Sequence, residues 1–245
     1  MRAARPRARP LPILVASMRK DIFDDRHEAG RLLAERLAHL REEKPIVLAL
    51  PRGGVPVGFE VARALQAPLD VILVRKIGVP GQPELALGAV VDGVRAQTIV
   101  NRELMDMLGI SEAYLHEQTE KQLAEIDRRR KLYVGDRPYL DVGGRTVIVV
   151  DDGIATGSTV LAALKAVRQA KPRRIVLAVP VAPPETVEEL SEQVDKVVCL
   201  MTPGWFGAIG RFYADFHQLS DAEVVNYLVA RAPKKGTLAE TKPAE

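Results

Sequence analysis

Short apolar runs alternate with amphipathic stretches along most of this chain. Runs rich in β-branched and aliphatic residues fall at 46–50, 70–74, 146–150, 174–179 and 196–200, and each predicts a strand. Between them, apolar residues recur at helical spacing. Leu32, Leu33, Leu37 and Leu40 mark a helix within 26–43, and further helices are expected over 55–66, 160–170 and 184–192. Ala89–Val91 and Thr98–Val100 flank Asp92-Gly93 as a hairpin would. A helical insert follows from Arg102 to about Tyr133, with Ser111 as a cap within it. Strands that are apolar on both faces and alternate with helices predict an α/β fold: a mostly parallel sheet flanked by helices. Ligands of such sheets bind at the carboxyl ends of the strands.

Three of those ends carry unusual sequence. Thr146–Val150 runs into Asp151-Asp152-Gly153-Ile154-Ala155-Thr156-Gly157-Ser158-Thr159, and then a helix. Two adjacent carboxylates can accept hydrogen bonds from vicinal hydroxyls or anchor Mg²⁺. The small polar turn presents amides at a helix N-terminus, where partial positive charge collects an anion. An acidic turn with an N-cap is the plainer reading. The run is neither a Walker loop nor a dinucleotide fingerprint, since Gly-Lys-Ser/Thr and Gly-x-Gly-x-x-Gly are both absent. The strand at 46–50 ends on Pro51-Arg52-Gly53-Gly54. Paired glycines let main-chain amides approach a ligand closely, although a strand-to-helix turn would also use them. The strand at 70–74 leads into Arg75-Lys76 and a Gly/Pro-rich stretch, Gly78–Ala89, too broken for helix or strand. Such a loop can close as a lid, and a solvated basic pair before a surface loop is the alternative.

In this order the three segments resemble the type I phosphoribosyltransferase family, over residues from about Asp25 to about Tyr227. Pro83-Glu84-Leu85-Ala86-Leu87-Gly88-Ala89 and Trp205-Phe206 are similar to a group of bacterial members of undefined substrate. The resemblance implies binding of phosphoribosyl pyrophosphate (PRPP) with Mg²⁺. Asp151 and Asp152 would take the ribose hydroxyls and lie near the metal, and Ala155, Thr156, Gly157, Ser158 and Thr159 would wrap the 5′-phosphate. Arg52, the Gly53 and Gly54 amides, and Arg75 or Lys76 would meet pyrophosphate. Arg52, Lys76, Asp151 and Asp152 are then the catalytic candidates. The activity implied is transfer of ribose 5-phosphate to a nitrogenous acceptor, a nucleobase, with release of pyrophosphate. Hypoxanthine/guanine members carry an Asp before Thr-Gly as general base. Ala155 stands there, which disfavours a 6-oxopurine and leaves Glu84 as the candidate base.

Five of the chain's 11 Phe, Trp and Tyr residues lie within Thr202–His217. Aromatic faces stack on bases, so Trp205 and Phe206 are candidates to cover the acceptor from a C-terminal hood at about 201–220. A satellite core is the competing reading, above all for Phe212 and Phe216. His217 reads as structural, and Asp127–Lys131 as a solvated helix face.

At 245 residues the chain suits one domain with a subdomain, 18–232, the helical insert covering about 101–140. Residues 1–17 carry four Arg and no acid, and without them the formal charge falls from +3 to −1. They read as a disordered basic extension, and 233–245 as a disordered tail. The near-neutral remainder argues against a nucleic-acid partner. No apolar run is long enough to span a membrane. The lone Cys199 lies in a strand and reads as packing, in a reducing, cytoplasmic setting. A homodimer is an allowed assembly. The alternative function is a non-catalytic PRPP or nucleotide regulator, since fold does not fix function.

Overall fold

The strands at 46–49 and 146–150 are buried along their whole length, which is why these runs are continuously apolar rather than alternating. The computed structural model describes residues 14–15, 22–94 and 96–231. In chain order the elements are β1 (Leu14–Val15), α1 (Arg26–Leu37), β2 (Ile46–Ala49), α2 (Gly54–Leu65), β3 (Leu69–Val71), β4 (Val74–Val79), β5 (Gln82–Val91), β6 (Gln97–Val100), α3 (Arg102–Met107), α4 (Glu112–Val134), β7 (Thr146–Val150), α5 (Ser158–Gln169), β8 (Arg174–Val181), α6 (Pro184–Ser191), β9 (Lys196–Met201) and α7 (Asp221–Ala230). Short 3-10 turns occupy Ala38–Glu43 and Ile209–Phe212.

The main sheet has the order β1-β9-β8-β7-β2-β3, with every pair parallel. Alternate residues of β7 serve opposite cores. Ile148 and Val150 pack with Leu33, Val57 and Val61 of α1 and α2. Val147 and Val149 pack with Val160, Leu164 and Val187 of α5 and α6. The fold is therefore the α/β arrangement read from the pattern, with helices on both faces of a mostly parallel sheet.

Two expectations for the segment after β3 need correction. The strand placed at 70–74 is split: β3 ends at Val71, and Asp92 Oδ1 accepts the Leu73 amide at 2.7 Å as the chain turns away. Arg75 and Lys76 thus belong to a second, antiparallel sheet, β4-β5-β6. The stretch Gly78–Ala89, read as a loop, belongs to this sheet through the hairpin of β4 and β5. Its glycines are steric necessities there. A Cβ on Gly78 would lie 2.7 Å from Pro83 Cα, and one on Gly88 would lie 2.3 Å from the Ile99 carbonyl oxygen. The hairpin around Asp92-Gly93 forms as expected, with Val91 opposite Gln97. Ser111 caps α4 by accepting the Tyr114 amide at 3.2 Å.

Leu14 and Val15 pair in parallel with Val198 and Cys199, so part of the expected extension is an edge strand. The rest of the expectation for residues 1–17, and the tail from 233, lie outside the described residues. Cys199 is buried and its thiol is pushed up to about 12 by burial, as a packing residue requires.

Asp127–Lys131 is not wholly a solvated face. Arg128 and Arg129 bind Glu125, but Arg130 turns inward and pairs with Asp70 at 3.2 Å and Asp92 at 3.5 Å. Burial pushes the Asp92 carboxyl up to about 7, against the lowering influence of the Leu73 amide and Arg130. Because the folded value lies above the unfolded one, Asp92 contributes stability at low pH that is lost as pH rises from about 4 to 7. A rise of that size corresponds to roughly 4 kcal/mol at most. Asp92→Asn should therefore flatten the decline in stability between pH 4 and 8, measured by urea unfolding. A decline as steep as that of the parent chain would show that Asp92 is ionised throughout.

Candidate active site

The carboxyl ends of β2 and β7 meet because their strands are neighbours, and the Leu50 amide bonds the Val150 carbonyl at 2.9 Å. This presses Pro51-Arg52-Gly53-Gly54 directly onto the acid pair. A Cβ on Gly53 would lie 2.0 Å from Asp152 Oδ2. One on Gly54 would lie 2.7 Å from the Val150 carbonyl oxygen and 2.8 Å from Asp151 Cα. The paired glycines are thus required by close approach of two loops. The Pro51–Arg52 peptide is cis.

The acids do not face solvent freely. Asp152 is 7% exposed, and its Oδ2 accepts from Arg26 Nε at 2.8 Å. Asp151 is half-buried, and its Oδ1 accepts the Asp152 amide at 2.9 Å. Desolvation holds both carboxyls above the ordinary range. The neighbouring Asp152 charge raises Asp151 further, while Arg26 acts to lower Asp152. Two carboxylates this close and this buried favour sharing a proton or meeting a cation. No group of three or more Asp, Glu, His or Cys side chains suited to hold a metal occurs among the described residues. The pair fits a Mg²⁺ whose other ligands come from a bound molecule or water, with Asp151 the freer carboxylate.

The turn after the pair is held from outside. The Ile154 amide donates to the Val181 carbonyl at 2.9 Å, and Thr186 Oγ1 donates to the Ala155 carbonyl at 3.1 Å. Gly157, with φ +73°, is the N-cap of α5, so no side chain caps the amides of the first turn. Ala155, Thr156 and Ser158 are exposed and Thr159 is half-buried. An uncapped helix N-terminus ringed by small polar residues suits a phosphate.

The basic candidates separate. Arg75 and Lys76 point to opposite faces of β4, as neighbouring strand residues must. Arg75 Nε donates to Gln122 Oε1 on α4 at 3.2 Å. Lys76 shares a cleft of about 540 Å³ with Ser158, Leu161 and Lys165 of α5, so it alone of the two stands beside the phosphate-type turn. Arg52 lies 4.0 Å from Asp221 at the start of α7, a loose pair that leaves its guanidinium half-exposed. Glu84 lies in β5, and its side chain is outside the described residues.

In the hood, Trp205 is 70% exposed, with Arg211 4.7 Å from its ring centre. Phe206 stacks on Phe212 at 5.3 Å. Phe216 stacks on Tyr213 at 5.1 Å, which places it in the satellite cluster. His217 faces Asp215 and Glu223 at 3.1 and 3.2 Å, a structural setting that raises its pKa.

Residues 19–217 match the phosphoribosyl transferase domain family. The chain belongs to that family. Two Mycobacterium tuberculosis proteins, of strains CDC 1551 and H37Rv and each named "Putative phosphoribosyl transferase", are 48% identical to it over 208 residues. The match takes in 84% of this chain and 46% of each relative, so the chain spans about half the length of the curated relatives it matches. The crystal structure of TT1426 from Thermus thermophilus is 45% identical, with a TM-score of 0.76. The match covers 86% of this chain and 100% of that one.

Within this phosphoribosyl transferase domain, two residues that no sequence motif marks, Arg26 and Tyr213, also reach the site. Arg26 opens α1 behind the Asp25 cap, whose Oδ1 accepts the Glu28 amide at 2.7 Å. Its guanidinium binds Asp152, donates to the His217 carbonyl at 3.0 Å and lies 3.9 Å from the Phe216 ring centre. Tyr213 Oη completes the clasp by donating to the Asp152 carbonyl at 2.5 Å. The signal was present in weak form: a cation in the first turn of a helix opposes the macrodipole, so it needs a partner elsewhere.

Proposed function

We propose that this chain transfers ribose 5-phosphate from PRPP to a nitrogenous acceptor, a nucleobase or similar ring, and releases pyrophosphate. The observation that carries this reading is the contact of Gly53 and Gly54 with Asp151 and Asp152 beside the uncapped start of α5. That arrangement brings main-chain amides, a carboxylate pair and an anion-type helix end to one place. The acceptor nitrogen would attack C1 of the ribose as the C1–oxygen bond to pyrophosphate breaks. Positive charge then develops on the sugar ring and negative charge on the leaving group.

In this reading Asp151 and Asp152 hold the ribose hydroxyls. Thr156, Gly157, Ser158 and Thr159, with the Ala155 backbone, hold the 5′-phosphate. Arg52, Lys76 and the Gly53 and Gly54 amides stabilise the departing pyrophosphate. Asp151, with Asp152 beside it, would hold a Mg²⁺ whose other ligands come from PRPP and water, and the ion would supply charge neutralisation at the leaving group. Arg75 is directed at α4 in this structure and would need to swing to join them. Ala155 offers no proton chemistry, which still argues against a 6-oxopurine acceptor. A cytoplasmic setting belongs to the same reading. No described helix is long and apolar enough to cross a membrane.

The test is PRPP consumption and pyrophosphate release across nucleobases and small amines, with PRPP·Mg²⁺ binding measured by calorimetry. Asp151→Asn should weaken PRPP·Mg²⁺ binding by about tenfold or more. It should leave the melting temperature nearly unchanged, because an Asn oxygen can still accept the Asp152 amide. Undiminished affinity would remove Asp151 from the site. PRPP binding without turnover on any acceptor would favour a regulator.

Trp205 separates the hood from the core. At 70% exposure its truncation to Ala should change stability by no more than about 0.5 kcal/mol. If it covers the acceptor, the same variant should lose about 1–3 kcal/mol of acceptor binding and little PRPP binding. Steady-state KM for the acceptor, beside a thermal melt, gives both values. An unchanged acceptor KM would leave Trp205 outside the pocket.

A further inference from the structure

Two segments far apart in sequence form one unit that grips the acid pair. The chain entering α1 is stitched by its backbone to the segment after the 3-10 turn at Ile209–Phe212. The Phe23 amide donates to the Phe212 carbonyl at 2.8 Å, the Ala214 amide to the Phe23 carbonyl at 2.8 Å, and the Asp215 amide to the Asp24 carbonyl at 2.9 Å. Phe23 is fully buried, and its ring centre lies 5.3 Å from that of Tyr213. Two polar groups of this unit reach Asp152. Tyr213 Oη takes its main-chain carbonyl, and Arg26 Nε takes Oδ2.

The guanidinium is itself fixed on two further sides, by the His217 carbonyl at 3.0 Å and by the Phe216 ring, whose centre lies 3.9 Å from Cζ. Gly53 closes another side of Asp152, where a Cβ would stand 2.0 Å from Oδ2. The grip passes on to Asp151, the more exposed of the two acids, because the Asp152 amide donates to Asp151 Oδ1 at 2.9 Å. A carboxylate held by a planar charged donor has its remaining lone pairs aimed in fixed directions. Acceptors fixed in this way reject a ligand that lacks the matching hydroxyl. We propose that Arg26 is a positioning residue for sugar recognition: it fixes Asp152 directly and Asp151 through the Asp152 amide, and so sets a preference for ribose over deoxyribose. The proposal rests on the acid pair being the ribose site.

The probes are ribose 5-phosphate and its 2-deoxy and 3-deoxy analogues, titrated into the full chain by calorimetry without added metal. Their phosphates are identical, so the ratio of affinities isolates the hydroxyl contacts. The parent chain should prefer ribose 5-phosphate over at least one analogue by about tenfold or more. Arg26→Gln should bring that ratio to within about twofold of unity. Arg26→Lys keeps the charge but replaces the planar fork with a point donor, and should also lose most of the preference. Leu33→Ala truncates a fully buried side chain of the same helix and is the control for destabilisation. It should lower the melting temperature and keep the ratio. Thermal melts establish the temperature at which each variant is folded, and Arg26→Lys decides where Arg26→Gln does not fold. An unchanged ratio in a folded Arg26 variant, or a ratio that falls equally in Leu33→Ala, overturns the proposal while the ribose site stands. A parent chain without any preference removes the ribose reading itself, and the proposal with it.

Discussion

Arg26→Met should cost this domain about 3–5 kcal/mol of stability, because it removes one partner of a buried ion pair and leaves the other without compensation. The Arg26 and Asp152 side chains are 9% and 10% exposed, so solvent screens them little. The same change strips the donor from the His217 carbonyl and the cation from the face of Phe216. Its pH dependence follows from Asp152. Desolvation already raises that carboxyl, and Arg26 is the chief influence lowering it. Without Arg26 the folded pKa rises further above the unfolded one, so the native state holds its proton over a wider range. The deficit should then be largest at neutral and alkaline pH and shrink as pH falls through the raised value. Arg26→Met combined with Asp152→Asn should recover most of the loss, since neither charge is then stranded. Urea unfolding of the three variants at pH 5 and pH 8 measures this. A loss below about 1 kcal/mol for Arg26→Met, typical of an exposed pair, would mean that the clasp is solvated.

Gly54→Ala should damage binding more than any single charge replacement at the site. The added Cβ would stand 2.7 Å from the Val150 carbonyl oxygen and 2.8 Å from Asp151 Cα. Both are backbone atoms at the end of a central strand, so no rotamer change relieves the contact. Overpacking of this kind costs about 1–3 kcal/mol of stability. Relief must come from moving the Arg52-Gly53-Gly54 loop off the acid pair, which breaks the proposed convergence. A displacement of about 1 Å at a reaction centre can cost on the order of a hundredfold, so PRPP turnover should fall by about that factor or more. Gly81→Ala is the control. Gly81 sits at positive φ, but a Cβ there meets nothing within 4 Å and the residue lies at the tip of the β4–β5 hairpin. It should cost stability modestly and leave PRPP affinity unchanged. Equal PRPP affinities for Gly54→Ala and the parent chain would show that the loop does not touch ligand.

The sequence alone determined the elements whose signal is local. Strand β7 was legible to the residue, and α2, α5, α6, β8 and β9 to within two. Their apolar periodicity is set by burial on a known number of faces. The parallel sheet followed from alternation, and the family from three short motifs, two of which stand at strand ends of that sheet while Arg75-Lys76 lies within β4. What the chain could not declare is whatever depends on partners distant in sequence. Arg26 lies 126 residues from Asp152, and nothing near either residue names the other. The stretch Gly78–Ala89 reads as a broken loop because its glycines mark close strand approach, and that meaning exists only once Pro83 and Ile99 are in place. Arg130 sits in a run of charges that looks solvated, and only the packing of α4 against β4 and β5 turns it inward to Asp70 and Asp92. The acid pair was found in the sequence, but its burial was not. Whether a carboxylate at a strand end faces water depends on which loop folds over it, and here that loop is Gly53-Gly54, brought down by the neighbouring strand.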